Sequence, residues 1–249
     1  MSIFKKIFGN KQESNVESSM NTDGFIKLSK SSYDNFSDLL EQHGALSFEK
    51  QQNFNELTGE HSWNINLNEG LITFGEYSFP FEVIGSLSFN DFSWMWGWAN
   101  EKSGIPANVL ESSLKLKSIG EQNNIEEFVN KHFSVDEGFE HKMGLIVSGM
   151  LNADAYFCAN YGQGTMVVTI KSKDIPRIDN NRLEKVITNF PQLISSIEMN
   201  HKNAFLNYLI DKDFEIKNQE NTIEGLKNGK ILVAEFDELG RLKNLNGKI

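Results

Sequence analysis

The chain has 249 residues, 39 % of them hydrophobic, so it is long enough to bury a sizeable core in one domain or two. Its 34 acidic residues outnumber 24 basic ones, and a formal net charge of −10 argues against a phosphate backbone as the main partner, because nucleic-acid affinity comes from Lys and Arg. A single cysteine, Cys158, excludes an internal disulfide and fits a reducing cytoplasm.

The first residues are short and amphipathic. Ile3, Phe4, Ile7 and Phe8 have helical i, i+3, i+4 spacing with Lys5 and Lys6 between them, a pattern suited to contact with a membrane or a partner. The apolar part is too short for a signal peptide, and no apolar run reaches the ~20 residues of a membrane span. Asn10 to Lys30 is polar and reads as a linker, so residues 1–30 are expected to be a leader outside the fold.

Residues 32–58 carry an apolar stripe and predict helix, with Gly44 a point where it can break in two. Strands follow. Trp63, Ile65 and Leu67 alternate with Asn64 and Asn66, and Asn68-Glu69-Gly70 is a turn leading into Leu71–Phe74. Phe79, Phe81, Val83, Gly85, Leu87 and Phe89 then occupy every second position, with Pro80 marking an edge or a strand start.

The next stretch, Ser93 to Asn100, holds three of the four tryptophans, and they alternate. On a strand Trp94, Trp96 and Trp98 share one face, with Met95, Gly97 and Ala99 on the other. A turn at Asn90-Asp91 pairs Leu87 with Trp94, Gly85 with Trp96 and Val83 with Trp98; a one-residue slip would destroy this match of apolar sets. The tryptophan face is either a core or a ligand or partner platform with Asn100 and Glu101 at its rim. The register match favours core.

Helix is expected again after Pro106, with Val109, Leu110, Leu114 and Ile119 inward, and Asn124 with Glu127 resembles a capping box for a short helix reaching Phe133. A stronger helix spans Phe139 to Leu151. A hairpin covers Tyr156–Ile170 and turns at Gly162-Gln163-Gly164. Residues 181–210 predict helix broken near Pro191, with Asn200 capping the last piece, and Asn228-Gly229 is a strong hairpin turn between 222–226 and 231–236. The order predicts an α+β fold: antiparallel sheet, as a meander and hairpins, packed with helices. The expected organisation is a leader over 1–30, a domain over 31–175, and a helical segment with a C-terminal hairpin over 176–249 packed on it.

From about Leu40 to Ile170 the chain resembles an uncharacterised bacterial domain family. The residues that carry the resemblance are Trp63–Leu67, Gly70–Phe74, Ile84-Gly85-Ser86, the Trp94-x-Trp96-x-Trp98-Ala99-Asn100 segment, Gly120-Glu121 and Ala155-Tyr156. The resemblance implies an α+β domain of bacterial origin and assigns no reaction and no catalytic residue.

No motif supplies chemistry directly. His43, His61, His132, His141 and His201 form no metal-ligand spacing, and Glu137 with His141 reads as a charged helix face, so neither a metal nor another cofactor is expected. Cys158 has no histidine near it in sequence and reads as a small buried hydrophobe. The favoured reading is a non-catalytic cytoplasmic protein that binds a basic protein partner through an acidic surface, in the manner of an immunity protein that neutralises a toxin. The alternatives are a small-molecule-binding domain using the tryptophan-rich face, and an enzyme whose site is assembled from distant residues.

Overall fold

The structure, a computed structural model, describes residues 22–248. Ile3, Phe4, Ile7 and Phe8 lie outside the described residues. The end of the polar stretch is docked: Ile26 pairs with Ile216 through backbone hydrogen bonds of 3.1 and 2.7 Å, and Lys27 meets Asp213 at 2.5 Å.

The fold is α+β, with six α-helices among the described residues packed on antiparallel sheet. Helix α1 (Phe36–Thr58) opens on Asn35, whose side chain accepts from the Asp38 amide at 2.9 Å, and runs unbroken through Gly44. That glycine is buried with Leu40 and Ala45, and tertiary packing of the helix outweighs its low helix propensity. A seven-stranded sheet follows, built from β1 (Trp63–Asn66), β2 (Leu71–Phe74), β3 (Tyr77–Ser88), β4 (Ser93–Trp96), β5 (His132–Ser134), β6 (Ala155–Asn160) and β7 (Gly164–Ile170). Strand β3 is its spine: β2 pairs with its first four residues, and β7 joins from Phe81 onward. Pro80 therefore falls just before the second neighbour begins, where a missing donor costs no ladder bond.

The register of β3 on β4 matches the alternation: Leu87 pairs with Trp94 and Gly85 with Trp96. Two details differ from expectation. Opposite β7 a bulge leaves Ile84 between Val83 and Gly85. An extra residue moves everything beyond it to the other face. Phe79, Phe81 and Val83 therefore join Phe54, Ile72, Phe74, Val168 and Ile170 in one apolar cluster, while Ile84 and Leu87 join the tryptophans in another. The second difference is that β4 ends at Trp96. Gly97–Ala99 turns into a 3-10 helix, so Trp98 never reaches Val83.

Helix α2 (Glu111–Asn123) buries Ser113, Leu116 and Gly120 and leaves Leu114 exposed. Asn124, with φ 57°, terminates α2 and does not cap the next helix, since its left-handed backbone is the C-cap conformation. The short α3 (Glu126–Val129) is followed by the edge strand β5 where helix to Phe133 was expected. Helix α4 (Phe139–Met150) leads into the β6–β7 hairpin. Helix α5 (Leu183–Ser196) continues through Pro191, which sits on its exposed side while Leu183, Val186, Phe190 and Leu193 keep one buried stripe. The chain breaks instead between Ser196 and α6 (His201–Asp211), which Asn200 caps by accepting from the Asn203 amide at 2.9 Å.

A four-stranded sheet closes the chain: β8 (Glu215–Asn218), β9 (Thr222–Lys227), β10 (Lys230–Phe236) and β11 (Leu242–Lys248). Its β9–β10 turn places Asn228 and Gly229 at φ 50° and 72°, the positive values a two-residue hairpin needs. The larger apolar cluster runs from Leu39 of α1 through Trp94, Trp96 and Ile146 to Phe205, Ile223 and Leu232, so both sheets share it.

Candidate functional site

The tryptophan segment divides between core and surface. Trp94 and Trp96 are fully buried. The Trp96 indole N–H donates to the Glu127 carbonyl at 2.8 Å, and its ring meets Trp94 and Phe128 edge-on, each at 5.6 Å. Trp98 is half-buried under the Lys117 ammonium, 4.8 Å from the ring centroid. Glu101 is exposed. Asn100 lies on the opposite side of the strand, where it lines a groove of about 290 Å³ with Met95, Gly97, Ile105, Tyr161 and Met166. Trp94 and Trp96 thus lie in the core, the alternative that the register match favours, and the five candidate platform residues do not share one surface.

Packing of α4 on β6 brings together groups that the sequence separates. Cys158 Sγ lies 3.8 Å from His141 Nδ1, and the Tyr156 hydroxyl lies 3.3 Å from the same nitrogen. Burial, reinforced by Glu140, pushes the Cys158 thiol up and holds it protonated at neutral pH, the form that is a poor nucleophile. Burial pushes the Tyr156 hydroxyl up in the same way. The expected Glu137–His141 helix face does not form, because Glu137 lies in the turn before α4; among the described residues no group of three or more His, Cys, Asp or Glu could hold a metal.

The chemistry-bearing surface is elsewhere. A cleft of about 510 Å³ opens between α1, the turn after α4 and the segment 171–182 that follows β7. It is lined by Lys50, Lys171, Lys173 and Arg177, with Asp154 and Asp211. Four cations against two carboxylates make it locally positive in a chain of net charge −10.

Each element is placed by identifiable contacts. Helix α1 turns Glu49 inward and Lys50 toward the cleft. Glu49 receives the fully buried Lys212 at 2.9 and 2.8 Å and the hydroxyl of buried Tyr208, so the buried charge is paired and hydrogen-bonded. Burial and the Glu49 carboxylate push Tyr208 far up. Lys212 also donates to the Asp179 carbonyl at 3.3 Å, and Asn53 of α1 donates to the Pro176 carbonyl at 3.1 Å. With Ile175 buried, these contacts fix the segment that carries Lys171, Lys173 and Arg177. Asp154 accepts from the Ser172 amide at 2.9 Å.

Lys50 donates to the Ala153 carbonyl at 2.8 Å and to Asn152 Oδ1 at 3.4 Å. Burial pushes its pKa down. Lys171 and Lys30 add to this, and Asp154 and Asp211 oppose it. Burial pushes Asp211 up, against its 2.7 Å ion pair with Lys30. His43, on the same helix, is pushed down to about 4 by burial and by Lys30 and Lys50, so it is neutral at pH 7. Among the described residues Lys171, Lys173 and Arg177 make no ion pair and no side-chain hydrogen bond. The arrangement can hold an anion: the donors of Lys171, Lys173 and Arg177 are unspent among the described residues. None of these residues stood out in the sequence. The one available signal was the spacing of Lys171, Lys173 and Arg177 in a chain rich in acids.

A model of a family of unknown function (DUF6882) matches residues 37–173, more than half of the chain, and the chain belongs to that family. No curated protein and no solved structure matches it. The matched span includes Lys50, Asp154, Lys171 and Lys173 and leaves out Arg177 and Asp211. No helix among the described residues is long and apolar enough to cross a membrane.

Proposed function

We propose that this member of the DUF6882 family binds a small anionic molecule, bearing phosphate or carboxylate, in the cleft between α1 and the segment after β7. The observation that carries the reading is the gathering of Lys50, Lys171, Lys173 and Arg177 around one concavity, three of them without a partner among the described residues. Like charges repel, and a cleft with low-dielectric walls concentrates their field on whatever enters. A bound anion would relieve that repulsion and take charge-assisted hydrogen bonds. The size of the cleft suits a metabolite-sized ligand. We also infer a cytoplasmic location, because a single cysteine allows no internal disulfide and fits a reducing compartment; a bacterial origin rests on the resemblance alone.

The expectation of a basic protein partner rests on the net charge, which names no surface. The cleft supplies a located set of donors. The test is thermal unfolding and calorimetry at low ionic strength with inorganic phosphate, pyrophosphate and citrate. At least one should raise the melting temperature, and the rise should shrink as sodium chloride is added. Lys173→Ala with Arg177→Ala should abolish it. No shift with any of the three anions, or the same shift in the double variant, overturns the reading.

A further inference from the structure

Lys50 differs from the other cations of the cleft. Lys171, Lys173 and Arg177 are exposed, whereas Lys50 is half-buried in the wall. Both its hydrogen-bond acceptors are neutral oxygens, the Ala153 carbonyl and the Asn152 side chain. Among the described residues it makes no ion pair. Asp154 and Asp211 favour its charge without forming an ion pair, and Lys171 and Lys30 act more weakly against it. The remaining titratable neighbour, His43, is neutral at pH 7.

We propose that Lys50 captures the carbonyl carbon of the bound anion as an imine, so that the ligand class is a small oxo acid or an aldehyde bearing phosphate or carboxylate. This rests on the anion-binding reading of the same cleft. A neutral amine has two N–H donors and one lone pair. Ala153 and Asn152 take the two donors, which leaves the lone pair unoccupied. Burial favours that neutral form, against the carboxylates of Asp154 and Asp211 and with a smaller contribution from Lys171 and Lys30, and a desolvated lysine is the usual lysine nucleophile. Lys171, Lys173 and Arg177 hold the anionic group within the same concavity, which converts encounter into an intramolecular approach. In the step itself the Nζ lone pair forms the C–N bond and the carbonyl π pair moves to oxygen. Both amine protons then leave with that oxygen as water, and C=N remains. Nothing is oxidised or reduced.

The full chain is incubated at pH 7 with glyoxylate and sodium cyanoborohydride, which reduces an imine to a stable secondary amine. Sites are located by peptide mass mapping over time. Lys50 should be modified first, several-fold faster than the median of the other lysines. Inorganic phosphate should slow it, and acetaldehyde, which lacks an anionic group, should label it more slowly. Lys50→Arg should remove the fast phase, and Lys243→Arg, at an exposed position, should retain it. Modification spread evenly over exposed lysines while phosphate still binds rejects the imine and leaves the anion reading standing. Even modification without phosphate binding rejects both. Equal labelling of Lys50 by glyoxylate and acetaldehyde rejects the anionic ligand class. Should Lys50→Arg fail to fold, the wild-type map alone decides.

Discussion

Trp96→Ala tests the core reading of the tryptophan strand. A tryptophan side chain buries roughly 150–250 Å², and at ~25 cal/mol per Å² its removal forfeits about 4–6 kcal/mol of burial. That is an upper bound, because the unfolded chain already hides part of the area. The Glu127 carbonyl would also lose its donor, at a cost of about 1 kcal/mol. Partial collapse of Trp94 and Phe128 into the vacated space works the other way. The expected loss is about 3–5 kcal/mol, the usual range for a buried large aromatic. Trp98→Ala serves as the internal control. Its ring is half-buried and its indole N–H has no partner among the described residues, so truncation should cost only ~1–2 kcal/mol. Urea unfolding followed by far-ultraviolet circular dichroism measures both. A Trp96→Ala variant within 1 kcal/mol of wild type, or a larger loss for Trp98→Ala, would refute the assignment of Trp96 to the core.

Gly85→Ala should destabilise strongly, by at least ~2 kcal/mol in the same assay, because a Cβ there would lie 2.5 Å from Trp94 Cζ2 and 2.6 Å from the Met95 carbonyl oxygen. Lys212→Met should cost about 3–5 kcal/mol by leaving Glu49 buried without its cation, and adding Glu49→Gln should restore part of the loss; additive losses in the double-variant cycle would contradict the pairing. His43, held near 4 against an ordinary 6.5, binds its proton more weakly in the folded chain, so the stability it gives is full above pH 6.5 and is lost as the pH falls through about 4. The loss has an upper bound of roughly 3 kcal/mol. His43→Gln should flatten that acid limb of a melting-temperature profile, and an unchanged limb would mean that His43 is protonated within the fold.

Local chemistry was legible wherever one interaction outweighed its competitors. The match of Leu87 with Trp94 was readable because a slipped register would have turned the tryptophans outward. The Asn228-Gly229 turn was readable because few residue pairs accept two successive positive φ values. The misreadings arise where tertiary packing overrules a local signal. Pro191 suggested a break, yet the buried stripe of α5 continues on either side of it and the proline faces solvent. Gly44 suggested another, yet the helix continues through it with Leu39, Leu40, Ala45 and Ser47 buried on either side. The bulge at Ile84 has no residue-type signature, since Ile-Gly can continue a strand or interrupt one. Gly85 pairs with Trp96, yet the ring that covers it is that of Trp94, which reaches diagonally across the ladder. The short edge strands β5 and β8 carry too few alternating positions to stand out from loop.

The cleft was hidden for a different reason. Its groups come from α1, the turn after α4, the segment after β7 and the end of α6, and no two of these adjoin in sequence. Nor do its contacts follow from residue type. Lys50 and Lys212 are both lysines of helical segments, but one meets a backbone carbonyl and the other a buried carboxylate. That difference is set by the rotation of α1: Glu49 faces the core, and one residue further round the helix Lys50 faces the cleft. Lys212 then completes the arrangement, because it neutralises Glu49 and reaches the Asp179 carbonyl of the segment that bears Arg177. The buried pair thus couples the core to the cleft wall. Lys212→Met should therefore weaken anion binding as well as stability, whereas Trp96→Ala, measured where it remains folded, should lower stability and leave anion affinity within about twofold. Calorimetry with inorganic phosphate on the two variants separates the cases. Equal losses of affinity would mean that the cleft depends on global stability and not on the Glu49–Lys212 contact.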